Sequence, residues 1–517
     1  MQRILAAHER EGDVAQSHHL YEDAAQYYQD ALNLHGIVSE DHARISEKLA
    51  WALSLGRNPR SATPLFDRAL DTYLHEPGEA EKTVKILLQR ARQLWIDART
   101  EAAIPLVEQA VEVANASATP NLRLLAADRM TDYLIGLDRY EEAEALLNAT
   151  GKAHKRRAFA GTTNYCQKAM LAAASGRREE AIQDFEQAIN AAKQDPDAFN
   201  LPLVWGSYAY WATILGDITL AISCYERALL VARQYHIPWH IAHLCIGYAS
   251  CLSFSGQHGA AYEYLLEALV YQPHTPLMRT SLAGLGIPIA LQVKDNVTLA
   301  KCAHRRAMHY AFRSGEPNRM ARTTAAIAQW QHACGRAGAA QSLLHEVSER
   351  VKRIDIIWEF PIAVARFGAL SDFPKARRLI GETPAARPEL RQACNALFDA
   401  FAATRNGLES ESQLKAHEAF GRFSALKWHG YADLANTLLR PLGISSSAER
   451  KHRPFGDLLS TLTPREQQVA KLVLKGHTNH AIADMLSIRE RTVEAHMTSI
   501  MSHLGVRSRH QLVEHLT

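Results

Sequence analysis

Residues 205–229 read WGSYAYWATILGDITLAISCYERAL, and within them Ala221, Tyr225 and Ala228 follow a small–bulky–small rule at i, i+4 and i+7. Those positions share one face of an α-helix, so the alanines let a neighbouring helix approach while the aromatic ring fills the space beside them. Gly216, five residues before Ala221, supplies the left-handed backbone that ends one helix and permits the next. The stretch predicts an antiparallel helix pair.

The same rule recurs along most of the chain. Upstream it gives Ala24/Tyr28/Ala31, Ala62/Phe66/Ala69, Ala103/Val107/Ala110, Ala143/Leu147 and Ala181/Phe185/Ala188. Downstream it gives Ala261/Leu265/Ala268, Ala300/His304/Ala307, Ala340/Leu344/Val347, Ala376/Ile380 and Ala416/Phe420/Phe423. The anchors fall about forty residues apart, as in a repeat array whose units bury their apolar faces against their neighbours. Gly176, Gly256 and Gly335 hold the turn position of Gly216, with Asp138 and Asp295 in the equivalent place. In the unit quoted above, Trp205, Gly216, Ala221, Tyr225 and Ala228 resemble the Trp, turn Gly, Ala, aromatic and Ala of the tetratricopeptide family. The match is good around Ala181, Ala221 and Ala261 and weak around Ala300, Ala376 and Ala416, and the period exceeds the family's usual ~34 residues.

Bulk properties narrow the field. Of 517 residues, 47% are hydrophobic and 22% charged, the balance of a folded soluble chain too long for one ordinary core. A formal net charge of +3 gives no global sign of nucleic-acid binding, so any such charge has to be local. The start, Met1-Gln2-Arg3-Ile4-Leu5, has no apolar stretch for a signal peptide, and no run of roughly eighteen apolar residues suggests a membrane span. The seven cysteines are scattered without a C-x-x-C pair, as expected of reduced thiols in a cytoplasmic protein.

The sharpest local signal lies at the C-terminal end. Thr463-Pro464-Arg465-Glu466 reads as a capping box ahead of a helix buried through Val469, Ala470, Leu472 and Val473 and stopped by Gly476. Thr478 caps a second helix with Ile482, Ala483 and Leu486 inward. A third helix from about Glu490 to His503 turns Val493, Met497, Ile500 and Leu504 inward, leaving Glu494, Ala495, Thr498 and Ser502 on the face that can enter a major groove.

These residues closely resemble the LuxR-type helix-turn-helix family. The matching positions are Leu462 to Glu466, Val469, Gly476, Asn479, Ile482-Ala483, Leu486, Thr492-Val493, His496, Ile500 and Leu504-Gly505-Val506-Arg507. The resemblance implies a four-helix unit whose last helix, near Arg509 to Leu516, helps two subunits pair on a two-fold site in double-stranded DNA. Chemistry then assigns base reading to Glu494, which can accept from cytosine N4, Ala495 against a thymine methyl, and Thr498 to either. Lys475, Thr478, Asn479, Arg491, Thr492, His496, Ser502 and Arg507 are the expected backbone contacts. Arg489 stands where a Ser or Thr cap is usual, and Ser502 and His503 where Lys or Arg is common, which removes phosphate charge.

The expected fold class is all-α. It comprises a tetratricopeptide-like superhelical array of antiparallel helix pairs over 1–440, a linker over 441–458 and the helix-turn-helix domain over 459–517. The linker reading rests on GISSSAERKHRPFGD from Gly443 to Asp457, rich in serine, charge, Pro and Gly. The array resembles the superhelical sensor region of the large ATP-binding LuxR-type regulators. No G-x-x-x-x-G-K-[ST] phosphate loop is present, which leaves a naturally shorter relative, a separate ATPase partner or a truncated N-terminus, and Met1 standing at a repeat start favours the first.

On the tetratricopeptide template the first helix of each pair lines the concave face. That register offers Tyr210, His243, Gln292, Arg322, Gln329 and His332 to a small molecule, a peptide or a protein effector. His236, His240 and His243 recur on one helix without an evident fourth ligand, so ordinary packing and no metal are expected. No nucleophile–base arrangement or paired carboxylate stands out, so neither catalytic residues nor a cofactor are read. The reading is a sequence-specific transcription regulator gated by the array, with RNA polymerase as a further candidate partner. The alternative is an interaction scaffold whose helix-turn-helix no longer reads DNA.

Two substitutions separate the DNA roles. Thr498→Ala is expected to alter sequence preference, whereas Arg491→Ala weakens binding to every sequence and lowers the salt slope by about one. Titrations against several duplexes across a salt series check this, and equal losses from both changes on all duplexes would remove Thr498 from base reading.

Overall fold

Alanine-lined helix faces dictate the architecture. The computed structural model describes residues 2–439 apart from short stretches at 19, 56–58, 76–79, 118, 155–160, 195–199, 236–237, 272–274, 304–305, 352–358 and 382–386, and C-terminally residues 464–474, 479–486, 492–493, 496–497 and 500. Among these residues every regular element is helical, and no helix is long and apolar enough to cross a membrane. The chain divides into two compact units, Met1–Leu439 and Arg440–Thr517.

The first unit is a winding array of antiparallel helix pairs. The pair quoted at the outset is Leu201–Ile214 and Ile218–Gln234, joined through Gly216 at φ 82°. Asp217 caps the second helix by accepting from the Leu220 amide at 3.1 Å. The anchor alanines Ala24, Ala62, Ala103, Ala143, Ala181, Ala221, Ala261 and Ala340 are wholly buried, as are their partners Ala31, Ala69, Ala110, Ala188, Ala228 and Ala268. Large residues at the intervening position are buried too, with Phe185 stacked on Tyr208 at 4.6 Å. Two of these rings rest on a glycine that no other residue could replace without displacement: Tyr28 on Gly12 and Tyr225 on Gly247.

The pattern shifts at three places. Ala300 is exposed, and its short helix Asn296–Cys302 instead buries Leu299, Cys302 and the following Ala303. In this unit Lys294, at φ 56°, takes the left-handed position, while Asp295 caps the helix by accepting from Val297 and Thr298 amides. In the helix Glu409–Ala425 the buried set is Ser412, Ala416, Ala419 and Phe423, so Ala416 and Phe423 hold their expected face while Phe420 is half-buried, and the position five residues after the left-handed Gly407 is Ser412. Finally, Pro276–Ser281 and Ile287–Gln292 are joined by a π-type turn, Leu282–Gly286. Pro288 has no N–H to give to the Gly284 carbonyl, which loosens the ladder where the extra residue is accommodated.

Packing is continuous from Leu134 to Ala435, whereas residues before it form three smaller apolar clusters. The winding is tight enough for the hairpin tips to meet the chain further on. Arg313 donates to the Asp97 carboxylate at 2.8 Å, Thr100 to Glu316 at 2.5 Å, and Asn318 to both Asp138 oxygens at 2.9 Å. Arg387 reaches Asp217 at 3.2 Å. These partners lie 170 to 216 residues apart, roughly four to five units of the repeat. Asp138 and Asp217 face the first turns of the helices Pro317–Ala333 and Pro388–Arg405, where a negative charge is favoured by the helix dipole.

The tip contact at Gly430 offers a test. A Cβ there would collide with the Ser253 carbonyl oxygen, whereas one on Gly421 meets nothing within 4 Å. Gly430→Ala is therefore expected to destabilise the array by about 1–3 kcal/mol, and Gly421→Ala, at an exposed position within a helix, to stabilise it by about 0.5–1 kcal/mol. Thermal unfolding should move the two midpoints in opposite directions.

Candidate functional site

Two adjoining cavities, of about 40 and 110 Å³, lie inside the array and share Ser250, Phe254, Leu285, Arg322 and Glu359. Their walls come mainly from first helices of successive pairs: Leu201–Ile214, Pro238–Phe254, Pro317–Ala333 and Glu359–Phe367. The π-type turn adds Gly284 and Leu285, and the helix His429–Asn436 adds Gly430, Tyr431 and Leu434. A backbone that departs from α geometry at a cavity wall is a recurrent feature of binding sites.

Four of the six residues expected in the groove meet here. Tyr210 lines the smaller cavity, Gln292 and Gln329 the larger, and Arg322 both. The other two stand apart. His243 is exposed and stacks on Trp239 at 5.5 Å, where burial of its surroundings and the charge of Arg319 hold its imidazole below the ordinary range. His332 is exposed and packs its ring 4.6 Å from Phe367. His240 is buried beside Trp239, and His236 lies outside the described residues.

Sequence reasoning missed Glu359 and Arg366. Both belong to Glu359–Phe367, a helix of nine residues, too short to display the repeat rule. Glu359 lies 3.8 Å from the Arg322 Nε, and the Arg322 guanidinium sits 5.8 Å from the centre of the Tyr210 ring. Burial raises the Glu359 carboxyl above its ordinary value, with Arg322 pulling the other way. The Arg366 guanidinium lies 4.7 and 5.2 Å from the ring centres of Phe367 and Phe401. Burial pulls it down to about 10, with Tyr431 opposing, so it remains a cation at neutral pH.

In the second unit, Val469, Ala470, Val473, Ile482, Ala483, Val493, Met497 and Ile500 form a closed apolar core, with Leu472, Leu474 and Leu486 packed against it. The helices Pro464–Leu474 and Asn479–Leu486 supply most of it. Of the expected DNA contacts, Thr492 is exposed and Asn479 and His496 are half-buried. Glu494, Ala495, Thr498, Lys475, Thr478, Arg491, Ser502 and Arg507 lie outside the described residues.

Comparison with known proteins agrees with both units. Residues 460–516 match the family described as bacterial regulatory proteins, luxR family, and residues 162–195 match the tetratricopeptide repeat. The C-terminal unit is thus a LuxR-family helix-turn-helix domain, and the array ahead of it in sequence is of the tetratricopeptide type. A Mycobacterium tuberculosis chain named an HTH-type transcriptional regulator is 31% identical over 148 residues, 28% of this chain and 16% of that one. The oxygen regulatory protein NreC of Staphylococcus aureus is 42% identical over 89 residues, 17% of this chain and 41% of its own. The chain therefore matches less than half the length of either relative. Among solved structures, the apo form of the quorum sensor NprR from B. thuringiensis aligns over 69% of this chain and 99% of its own, at 15% identity and a TM-score of 0.37.

The raised carboxyl of Glu359 gives a pH signature. The folded chain holds that proton above the unfolded value of 4.5, so stability falls as pH rises through the folded value. Glu359→Gln removes this loss, although it leaves Arg322 without its partner at every pH. Chemical denaturation across a pH series should show the variant gaining on the wild type as pH rises above the unfolded value of 4.5. A difference constant over that range would remove Glu359 from the titration.

Proposed function

We infer that this chain is a DNA-binding transcription regulator whose helical array receives an effector in its cavity. The match of residues 460–516 to the luxR family carries the reading. It is supported by the apolar core behind those helices and by an exposed Thr492 at the start of the recognition helix. The relatives named as regulators point the same way. The domain binds a two-fold site as a dimer. Glu494, Ala495 and Thr498 read bases, while Lys475, Thr478, Asn479, Arg491, Thr492, His496, Ser502 and Arg507 hold the backbone. RNA polymerase is the partner through which such a regulator acts on a promoter. On the input side, a cavity joining polar groups to apolar walls favours a small effector, which acts by binding one arrangement of the array more tightly than another.

From Thr461 onward seven Lys and Arg stand against five Asp and Glu, a small excess that predicts a shallow salt dependence. Selection of genomic fragments by the purified chain at two salt concentrations is expected to enrich a short two-fold motif at both. Enrichment absent from the full chain and from the segment Pro454 to Thr517 alike would overturn the regulator reading in favour of an interaction scaffold.

A further inference from the structure

The larger cavity contains an arginine without a counter-ion. Among the described residues no carboxylate lies within ion-pair distance of Arg366, and its side chain donates no hydrogen bond. Phe367 and Phe401 lie close beside its guanidinium, yet the residue still lines the cavity. Arg366 is half-buried, and a guanidinium that has lost part of its hydration without gaining an acceptor is stabilised when a ligand supplies one. A carboxylate fits that fork with two parallel hydrogen bonds.

The charge balance limits what that acceptor can be. With Glu359 ionised, Arg322 shares its charge with that carboxylate and lies against Tyr210, whereas Arg366 is unbalanced, so the cavity then carries one positive charge in excess. His258, half-buried in the same wall, accepts or donates at Ser253 Oγ, and burial holds its imidazole low, with Asp433 opposing. It therefore adds no second charge at neutral pH. The remaining surface is mostly aliphatic, with Leu285, Ile289, Ala326, Ile362 and Leu434 facing the space. A volume of about 110 Å³ is somewhat below the about 150 Å³ that holds benzene in an engineered protein cavity, which limits the apolar body to a few carbons unless it extends through the mouth.

We propose that the larger cavity binds a small monocarboxylate with an apolar body, its carboxylate on Arg366 and its body against Leu285, Ile289 and Ile362. The π-type turn is what makes the wall: it brings Leu285 to both cavities, and Gly284 leaves room for the Arg322 methylenes, which a Cβ there would meet at 3.0 Å. As the identity of the effector, the proposal rests on the reading of the array as the input end.

Calorimetric titration of the purified full chain, without DNA, tests it with butanoate, hexanoate and benzoate up to about 10 mM. Hexanamide and benzamide serve as uncharged counterparts, and succinate and inorganic phosphate as doubly charged ones. At least one monocarboxylate is expected to bind roughly tenfold or more tightly than its amide, and more tightly than succinate or phosphate. Arg366→Gln is expected to cost that binding about tenfold or more, with Arg366→Lys retaining part of it, and thermal unfolding checks that each variant folds. Absence of binding by all three monocarboxylates, equal binding of the amides, preference for a dianion, or unchanged binding in folded Arg366→Gln would each overturn the proposal. If Arg366→Gln does not fold, the acid–amide comparison on the wild type decides. Because no DNA is present, a failure here is separate from a failure of fragment selection. A carboxylate that binds but leaves fragment selection unchanged would instead remove its role as effector.

Discussion

The close approach of helices at the anchor alanines is the constraint on which the rest of the array depends. With only a methyl group at Ala181, Ala188, Ala221, Ala228, Ala261 and Ala268, all wholly buried, neighbouring backbones come together and the bulky residue between them has to fill what remains. That residue is accommodated by the absence of a side chain opposite, as Tyr225 is by Gly247. Small and large are therefore matched across elements as well as along them. Because the same offset recurs in unit after unit, a fixed rotation per unit accumulates into the winding that brings hairpin tips onto the chain 170 to 216 residues later.

Two kinds of interaction divide the work. Within and between adjacent pairs the contact is apolar and continuous from Leu134 to Ala435. Between successive turns polar contacts are added, Arg313 with Asp97, Thr100 with Glu316, Asn318 with Asp138, and Arg387 with Asp217, beside the aromatic stack of Phe254 on the buried Trp428 at 5.2 Å. The partly exposed ones among the polar contacts contribute on the order of 1 kcal/mol or less each, the buried Thr100–Glu316 bond to a charged group about 1.5–3 kcal/mol, and each fully buried large apolar side chain about 1.5–3 kcal/mol. The winding is thus held by fewer contacts than the pairs, with the aromatic stack at Trp428 the largest apolar one among those named. Residues before Leu134, held in three separate clusters, are the part of the array with least shared core.

The repeat was legible because i, i+4 and i+7 on a helix translate directly into burial, and the same reasoning placed Val469, Ala470, Val473, Ile482, Val493, Met497 and Ile500 in the core of the second unit. It failed where another local rule intervened. Ala300 follows a π-type turn and a short helix, so the alanine that keeps the spacing does not keep the face. In the Ala416 unit Ala416 and Phe423 are buried as the spacing requires, but Phe420 is only half-buried and the turn glycine, Gly407, stands nine residues before Ala416 where other units have five. The cavity was half legible for a related reason. Tyr210, Arg322 and Gln329 sit on long first helices whose concave face follows from the template, whereas Glu359 and Arg366 sit on a short helix that shows no repeat. An unbalanced charge is a property of what surrounds a residue in space, and spacing along the chain does not encode it.

The position of the cavity joins these points. Its walls are drawn from helices between Leu201 and Asn436, including Leu201–Ile214 at one end of the sequence and His429–Asn436 at the other. The second of these is itself a tip contact, with Gly430 packed on Ser253 and both residues lining the larger cavity. A molecule held there touches the pairs and the winding together, so its affinity depends on how tightly the array is wound. Ligand at a hundred times its dissociation constant stabilises the form it binds by about 2.7 kcal/mol. That equals several tip contacts but only one or two buried side chains. A ligand of that strength, acting as the effector proposed above, would bias the winding through its polar contacts and leave the pairs as they are.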